Sequence, residues 1–174
     1  MAHNVEIKAR ARDFVRQFRL AAQLADGPGT ILHQEDVFFR VETGRLKLRF
    51  FTPERGELIA YHRPDRIGPK TSHYEIYPTR EPKTLQRVLA ETLPLLGKVI
   101  KKRTLFLRDQ TRIHCDEVEH LGCFFELEVV LAPGQDPAEG RAIAATLMKE
   151  LAIRHEDLID QAYIDLLLSP GKAP

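Results

Sequence analysis

The chain has 174 residues, with 26 Lys and Arg against 25 Asp and Glu and a formal net charge of +1. Hydrophobic residues at 43% and charged residues at 29% are globular proportions, expected of a single domain over 1–174 and not of a disordered chain. The balanced charge speaks against a nucleic-acid partner, which calls for a basic excess, and no apolar run approaches the roughly 18 residues of a membrane span.

In chain order, NVEIKAR at 4–10 alternates polar and apolar residues, the pattern of a half-buried strand. Before it, MAH adds no apolar stretch of the kind a signal peptide needs. A helix follows, with Asp13 as N-cap and Phe14, Phe18, Ala21 and Ala22 at helical spacing, stopped by Asp26-Gly27-Pro28-Gly29. Strands recur at about 31–41, 44–51, 56–63 and 72–77, the last three joined by turns bearing Gly or Pro. The spacing of Leu85, Val88, Leu89 and Leu93 predicts a second helix over roughly 81–96. Three more strands are expected near 98–108, 110–118 and 123–131. Asp136-Pro137, an N-cap with proline at the first helical position, opens a third helix striped by Ile143, Leu147 and Leu151. A last short helix is predicted over 155–168. Eight strands with mostly short links predict an α+β fold whose antiparallel sheet is a meander curled into a barrel. Cys115 and Cys123, without a C-x-x-C pair, suit inert thiols in a reduced, cytoplasmic protein.

Residues i and i+2 of a strand share a face, and several of these faces are more charged than contact with water requires. Glu6, Lys8 and Arg10 share one; Arg45, Lys47 and Arg49 of RLKLR share another; Lys101 and Arg103 a third; Arg112, His114 and Asp116 a fourth. FFELEVV sets Glu126 and Glu128 together. Two such carboxylates, about 6.5 Å apart along a strand, repel by roughly 2–3 kcal/mol at an effective dielectric near 20. A divalent cation between them reverses the sign. Oxygen ligands without a Cys or His cluster select a hard ion, Mg²⁺ or Mn²⁺. The clustered Lys and Arg repel one another unless an anion joins them, and each can give a polyanion a charge-assisted hydrogen bond. Cation and polyanion together describe a phosphate chain. No Gly-rich phosphate loop is present, so the phosphates are not held as in a P-loop.

In this order the motifs resemble those of the CYTH domain, the triphosphate tunnel enzymes that include class IV adenylyl cyclases and thiamine triphosphatases. NVEIKAR is similar to the family's E-x-E-x-K signature, QEDVFFR at 34–40 to its second-strand motif and RLKLR at 45–49 to its basic third strand. AYHRP at 60–64, KKRTLF, TRIHCDEV, FFELEV and AYIDLL complete the likeness, which covers about residues 4–168. The resemblance implies an eight-stranded antiparallel tunnel with helices outside and charged side chains within. It implies metal binding by Glu6, Asp116, Glu126 and Glu128, and phosphate binding by Lys8, Lys47, Arg49, Arg63 and Arg103, with Arg10, Lys101 and Arg112 at its margin. Glu6, Lys8, Arg49 and Arg103 are the expected catalytic set. The first Glu of the signature is Asn4 here; its amide oxygen ligates a hard cation without neutralising it, and Asp36 or a water is the candidate to compensate.

The expected activity is class IV adenylyl cyclase-like, ATP going to cyclic AMP and pyrophosphate. The alternatives are a triphosphatase acting on tripolyphosphate, thiamine triphosphate or a nucleotide, and a non-catalytic module that senses polyphosphate or nucleotide. ATP or another triphosphate is the expected partner, with no nucleic acid and no membrane, and the resemblance implies a homodimer.

Overall fold

The computed structural model describes residues 4–62 and 70–169. Its sheet contains β1 (Asn4–Arg10), β2 (Thr30–Phe39), β3 (Arg45–Thr52), β4 (Arg55–His62), β5 (Lys70–Thr79), β6 (Leu95–Arg108), β7 (Thr111–Val118) and β8 (Gly122–Val130). Around the sheet lie α1 (Phe14–Leu24), α2 (Pro82–Ala90), α3 (Pro137–Glu150) and α4 (Tyr163–Leu168). The strands close into a barrel in the order β1-β5-β4-β3-β2-β6-β7-β8, and β8 pairs back to β1. Every ladder is antiparallel. The β1–β8 ladder runs the whole length of β1, whereas β1 meets β5 only at Asn4↔Ser72, Val5↔Thr71 and Glu6↔Lys70.

Alternation along the strands turns this barrel inside out. Val5, Ile7, Ala9, Ile113, Phe125, Leu127 and Val129 point outward and are buried beneath α1 and α3. α2 covers Val37, Phe39 and Leu48 with Leu85 and Leu89, joined by Leu93 just beyond its end. The apolar core therefore lies between the sheet and its helices, and the polar face of every strand is left to line the interior.

Local chemistry sets the helices. Asp13 accepts from the Arg16 amide at 3.1 Å and Asp136 from the Ala138 amide at 2.8 Å, each satisfying a first-turn donor. The α1 stripe runs through Phe14, Gln17, Phe18 and Ala21, and Ala22 is exposed. Gln17 is buried because its amide donates to the Leu151 and Ala152 carbonyls at 3.2 and 3.3 Å, tying α1 to the end of α3. No helix among the described residues is long and apolar enough to cross a membrane.

Two helices differ from expectation. α2 stops at Ala90 rather than near 96: Leu93 precedes Pro94, which disfavours the helical region, and Leu95 already pairs in β6. The predicted 155–168 helix is broken into a 3₁₀ turn, His155–Asp157, and α4. Between them the Ile159 amide donates to the Lys8 carbonyl at 2.9 Å and Leu158 bridges Ala9, so pairing with β1 displaces the helix. α4 then sits across one end of the barrel, where Ala162, Tyr163 and Ile164 pack on Phe38, Val99, Val118 and Phe124. Gly97 allows the approach, since a Cβ there would stand 2.8 Å from Ile164 Cδ1. Arg45 holds the helix through Asp165 at 2.8 Å.

Leu127 is fully buried at the centre of the outer core. Leu127→Ala is expected to lower the unfolding free energy by about 2–5 kcal/mol, measured by urea denaturation.

Candidate functional site

The polar strand faces enclose a cavity of about 480 Å³. The basic side chains reach it from separate strands: Lys8 from β1, Lys47 and Arg49 from β3, Lys101 and Arg103 from β6, Arg112 from β7. Glu6, Asp36, Glu57, Glu126 and Glu128 share the same interior. The sequence thus placed the two charge types on the right faces, and barrel closure brings those faces together.

Carboxylates answer the cations across neighbouring strands. Asp36, 2% exposed, accepts from Lys47 Nζ at 2.9 Å and from Arg49 Nε and Nη2 at 2.7 and 2.8 Å. The RLKLR face is therefore compensated by its β2 neighbour before any ligand arrives. Asp36 consequently serves the basic wall and is not the substitute acid for Asn4. Burial alone would raise the Asp36 pKa, but Lys47 and Arg49 outweigh it and hold the carboxyl well below its usual range. Glu126 accepts from Lys8 at 2.8 Å and from Arg103 at 2.5 Å, and the same contest between burial and these two cations lowers its pKa.

Asp116 is fully buried, behind the residues that line the cavity. Its oxygens accept from Arg103 Nε and Nη2, both at 2.6 Å, and from the Tyr163 hydroxyl at 2.9 Å. This geometry makes Asp116 the partner that orients Arg103. Arg10 is exposed at the α4 end, over the Phe124 ring at 5.1 Å, and is outside the cavity lining. Arg112 lies at the opposite end, 3.2 Å from Glu128. Arg63 falls outside the described residues.

The lysines bear the cost of this crowding. Burial, then Arg49, pushes Lys47 down to about 8; burial, then Arg103, pushes Lys101 down to about 7. Burial, helped by Arg103, also lowers His114, whose ring lies 3.6 Å from Glu126 and 3.9 Å from Glu128. His114 Nδ1 and Gln34 Oε1 are buried in the cavity wall without a hydrogen-bond partner, leaving two sites for ligand or water. Sequence inspection set His114 apart only by its shared face with Arg112 and Asp116, and overlooked Gln34, a neutral residue on a strand read for its charges.

A divalent cation finds hard donors on the β1–β8 wall. Glu6 stands directly opposite Glu128 in register, Glu126 is next along the strand, and Asn4 donates to Glu128. Like charges opposite one another are destabilising, and an oxygen-seeking cation is the chemistry that relieves them. No three His, Cys, Asp or Glu side chains converge on one point among the described residues, since Lys8, Arg103 and Arg112 hold carboxylate oxygens that a cation would take over. The donor chemistry fits the ion.

The ends of the cavity differ. At the α4 end it meets Tyr163, Ala162, Phe38 and Val99; elsewhere Leu32, Phe51, Tyr74, Ile76 and Leu105 give it an apolar border. Ile76 is 47% exposed, so this border opens to solvent.

The CYTH domain model matches residues 2–163. The PH1012 protein of Pyrococcus horikoshii superposes with a TM-score of 0.83 at 21% identity, covering 94% of this chain and 98% of that one. A candidate adenylate cyclase of Vibrio parahaemolyticus gives 0.78 at 16%, covering 95% and 98%. A candidate adenylyl cyclase of Hippeastrum, described as having a dominant triphosphatase activity, gives 0.66 at 15%, covering 98% of each chain. At these identities the likeness is one of fold. No curated protein matches the sequence.

Two outcomes follow from the lysines. With Lys47 near 8 and Lys101 near 7, much of both is neutral at pH 8. Tripolyphosphate binding should recharge them, with a net proton uptake at pH 8 that fades toward pH 6, read by calorimetry in buffers of different ionisation enthalpy. Lys101→Met is expected to stabilise the ligand-free protein most below pH 7, where the buried ammonium is charged. The gain should shrink as pH rises, because the wild type sheds that proton on folding while its unfolded chain keeps it to about 10.4. Thermal denaturation across pH 6–9.5 measures it.

Proposed function

Since the chain belongs to the CYTH domain family, we propose that it is a metal-dependent enzyme that converts ATP to cyclic AMP and pyrophosphate. The observation carrying the reading is a single cavity lined by cations and carboxylates that face one another from neighbouring strands, with an apolar border beside them. Lys8, Lys47, Arg49, Lys101 and Arg103 bind the non-bridging oxygens of the triphosphate. Glu6, Glu126 and Glu128, with the Asn4 amide oxygen, would hold a divalent cation, which would supply charge neutralisation and polarisation of the phosphates.

The chain's own residues do the positioning. Leu32, Phe51, Tyr74, Ile76 and Leu105 give the adenine an apolar surface, and the cations fix the phosphates relative to it. That bends the nucleotide so that its 3′-oxygen meets the α-phosphorus. The new O3′–P bond forms as the bond to the β-phosphate oxygen breaks, and Arg49 and Arg103 stabilise the charge gathering on the departing pyrophosphate. The 3′-hydroxyl proton passes to water at the open border of the cavity.

A second reading, hydrolysis of a triphosphate, draws support from the Hippeastrum protein of the same fold and its described triphosphatase activity. Here water replaces the 3′-hydroxyl in the same cavity. Incubating the protein with ATP, thiamine triphosphate and tripolyphosphate, each with Mg²⁺ or Mn²⁺, separates the two by product. Cyclic AMP with pyrophosphate is the expected outcome; orthophosphate alone would reassign the enzyme as a triphosphatase. Tight binding with no product would make it a sensor. Arg49→Ala and Glu126→Gln should each cut turnover by about 100-fold or more, and retained turnover would place the chemistry elsewhere.

A further inference from the structure

The C-terminal AYIDLL segment places one aromatic residue inside the barrel. Tyr163 is 5% exposed and opens α4, which is seated by Ile164 against Gly97 and by Asp165 on Arg45. Its ring touches the cationic wall: Lys8 Nζ lies 3.9 Å from the ring centroid and Lys101 Nζ 5.4 Å. Its hydroxyl donates to Asp116 Oδ2 at 2.9 Å, and Asp116 grips Arg103 by both oxygens.

We propose that Tyr163 is a positioning residue that sets the arrangement of three phosphate-site cations, Lys8 and Lys101 through its ring and Arg103 through Asp116. The inference rests on the reading of the cavity as a triphosphate site. Lys8 pairs with Glu126 at 2.8 Å and Lys101 lies 4.0 Å from Asp116, and an aromatic face beside them supplies further attraction without a competing negative charge. A second carboxylate at that point would bind the lysines so firmly that they would be lost to the phosphates. The hydroxyl serves a different end. Arg103 also reaches Glu126, so its guanidinium has two acidic partners to choose between. A hydroxyl bonded to Asp116 fixes that carboxylate and so fixes which edge of Arg103 faces the cavity. A residue present only for packing would be as well served by phenylalanine, and it would not place its hydroxyl on a carboxylate already held by an arginine.

The test is calorimetric binding of inorganic tripolyphosphate, with and without Mg²⁺, to the full chain. Tyr163→Phe keeps the ring and is expected to weaken binding about threefold to tenfold; Tyr163→Leu, losing both functions, should weaken it by about 30-fold or more. Because the hydroxyl acts through Asp116, the Tyr163→Phe/Asp116→Asn double variant should bind no worse than Asp116→Asn alone. Ile164→Ala is the control for helix seating: it loosens the apolar contact of α4 and touches no cation, so it should lower stability while leaving affinity unchanged. The proposal falls if Tyr163→Phe binds as the wild type does, if its effect adds fully to that of Asp116→Asn, or if Ile164→Ala reproduces the loss. Tyr163→Phe carries the test even if the leucine variant fails to fold. If the wild type itself binds no tripolyphosphate in either condition, the triphosphate reading fails and this inference falls with it; where the wild type binds, a loss or its absence in Tyr163→Phe bears on Tyr163 alone.

Discussion

Arg103 lies between Asp116 and Glu126, with hydrogen bonds of 2.5–2.6 Å to both, and the interior of the barrel depends on pairings of this kind. Removing a guanidinium from water costs several kcal/mol unless its donors are matched by good acceptors. β6 cannot match them itself, because its interior residues on either side of Arg103 are Lys101 and Leu105. The match comes from β7 and β8. β3 likewise depends on Asp36 of β2. Each charged strand is acceptable only beside the right neighbour, so the register of the sheet and the composition of the cavity specify each other.

The described interior holds as many carboxylates as cations: Glu6, Asp36, Glu57, Asp116, Glu126 and Glu128 against Lys8, Lys47, Arg49, Lys101, Arg103 and Arg112. A triphosphate added to a balanced interior leaves an excess of negative charge. In the proposed function a divalent cation would offset that excess, at the wall where Glu6 and Glu128 oppose each other. The same balance explains how a protein with a net charge of only +1 gathers so many cationic groups in its interior: carboxylates are gathered with them.

Much of this could be read from the residues because strand alternation is a strong signal. All eight strands, the caps at Asp13 and Asp136, and the charged faces follow from period and chemistry. What could not be read was set by contacts between distant segments. Residues 158–162 lie within a helical-looking stretch, yet the Lys8 carbonyl takes the Ile159 amide. Ala22 and Gln17 exchange places because the end of α3 offers Gln17 two carbonyls. Asp116 shares a face with Arg112 and His114, as the spacing implies, but its neighbours Arg103 and Tyr163 come from other elements and decide where its oxygens point. Spacing assigns a side chain to a face; the partners that finish its role belong to the fold.

The pairing of β1 with β8 bears on the order in which the molecule assembles. Asn4 and Glu128 are hydrogen-bonded although 124 positions apart in the chain, and the first strand synthesised finds its longest ladder with the last. Contacts of such separation close late and slow the search for the native state. Until β8 emerges, β1 has only its short edge on β5, and Lys8 and Arg103 lack Glu126. Asp36 of β2 already answers Lys47 and Arg49, so the late strand matters for Lys8 and Arg103, and the ladder that closes the barrel also completes the pairing of its interior charges.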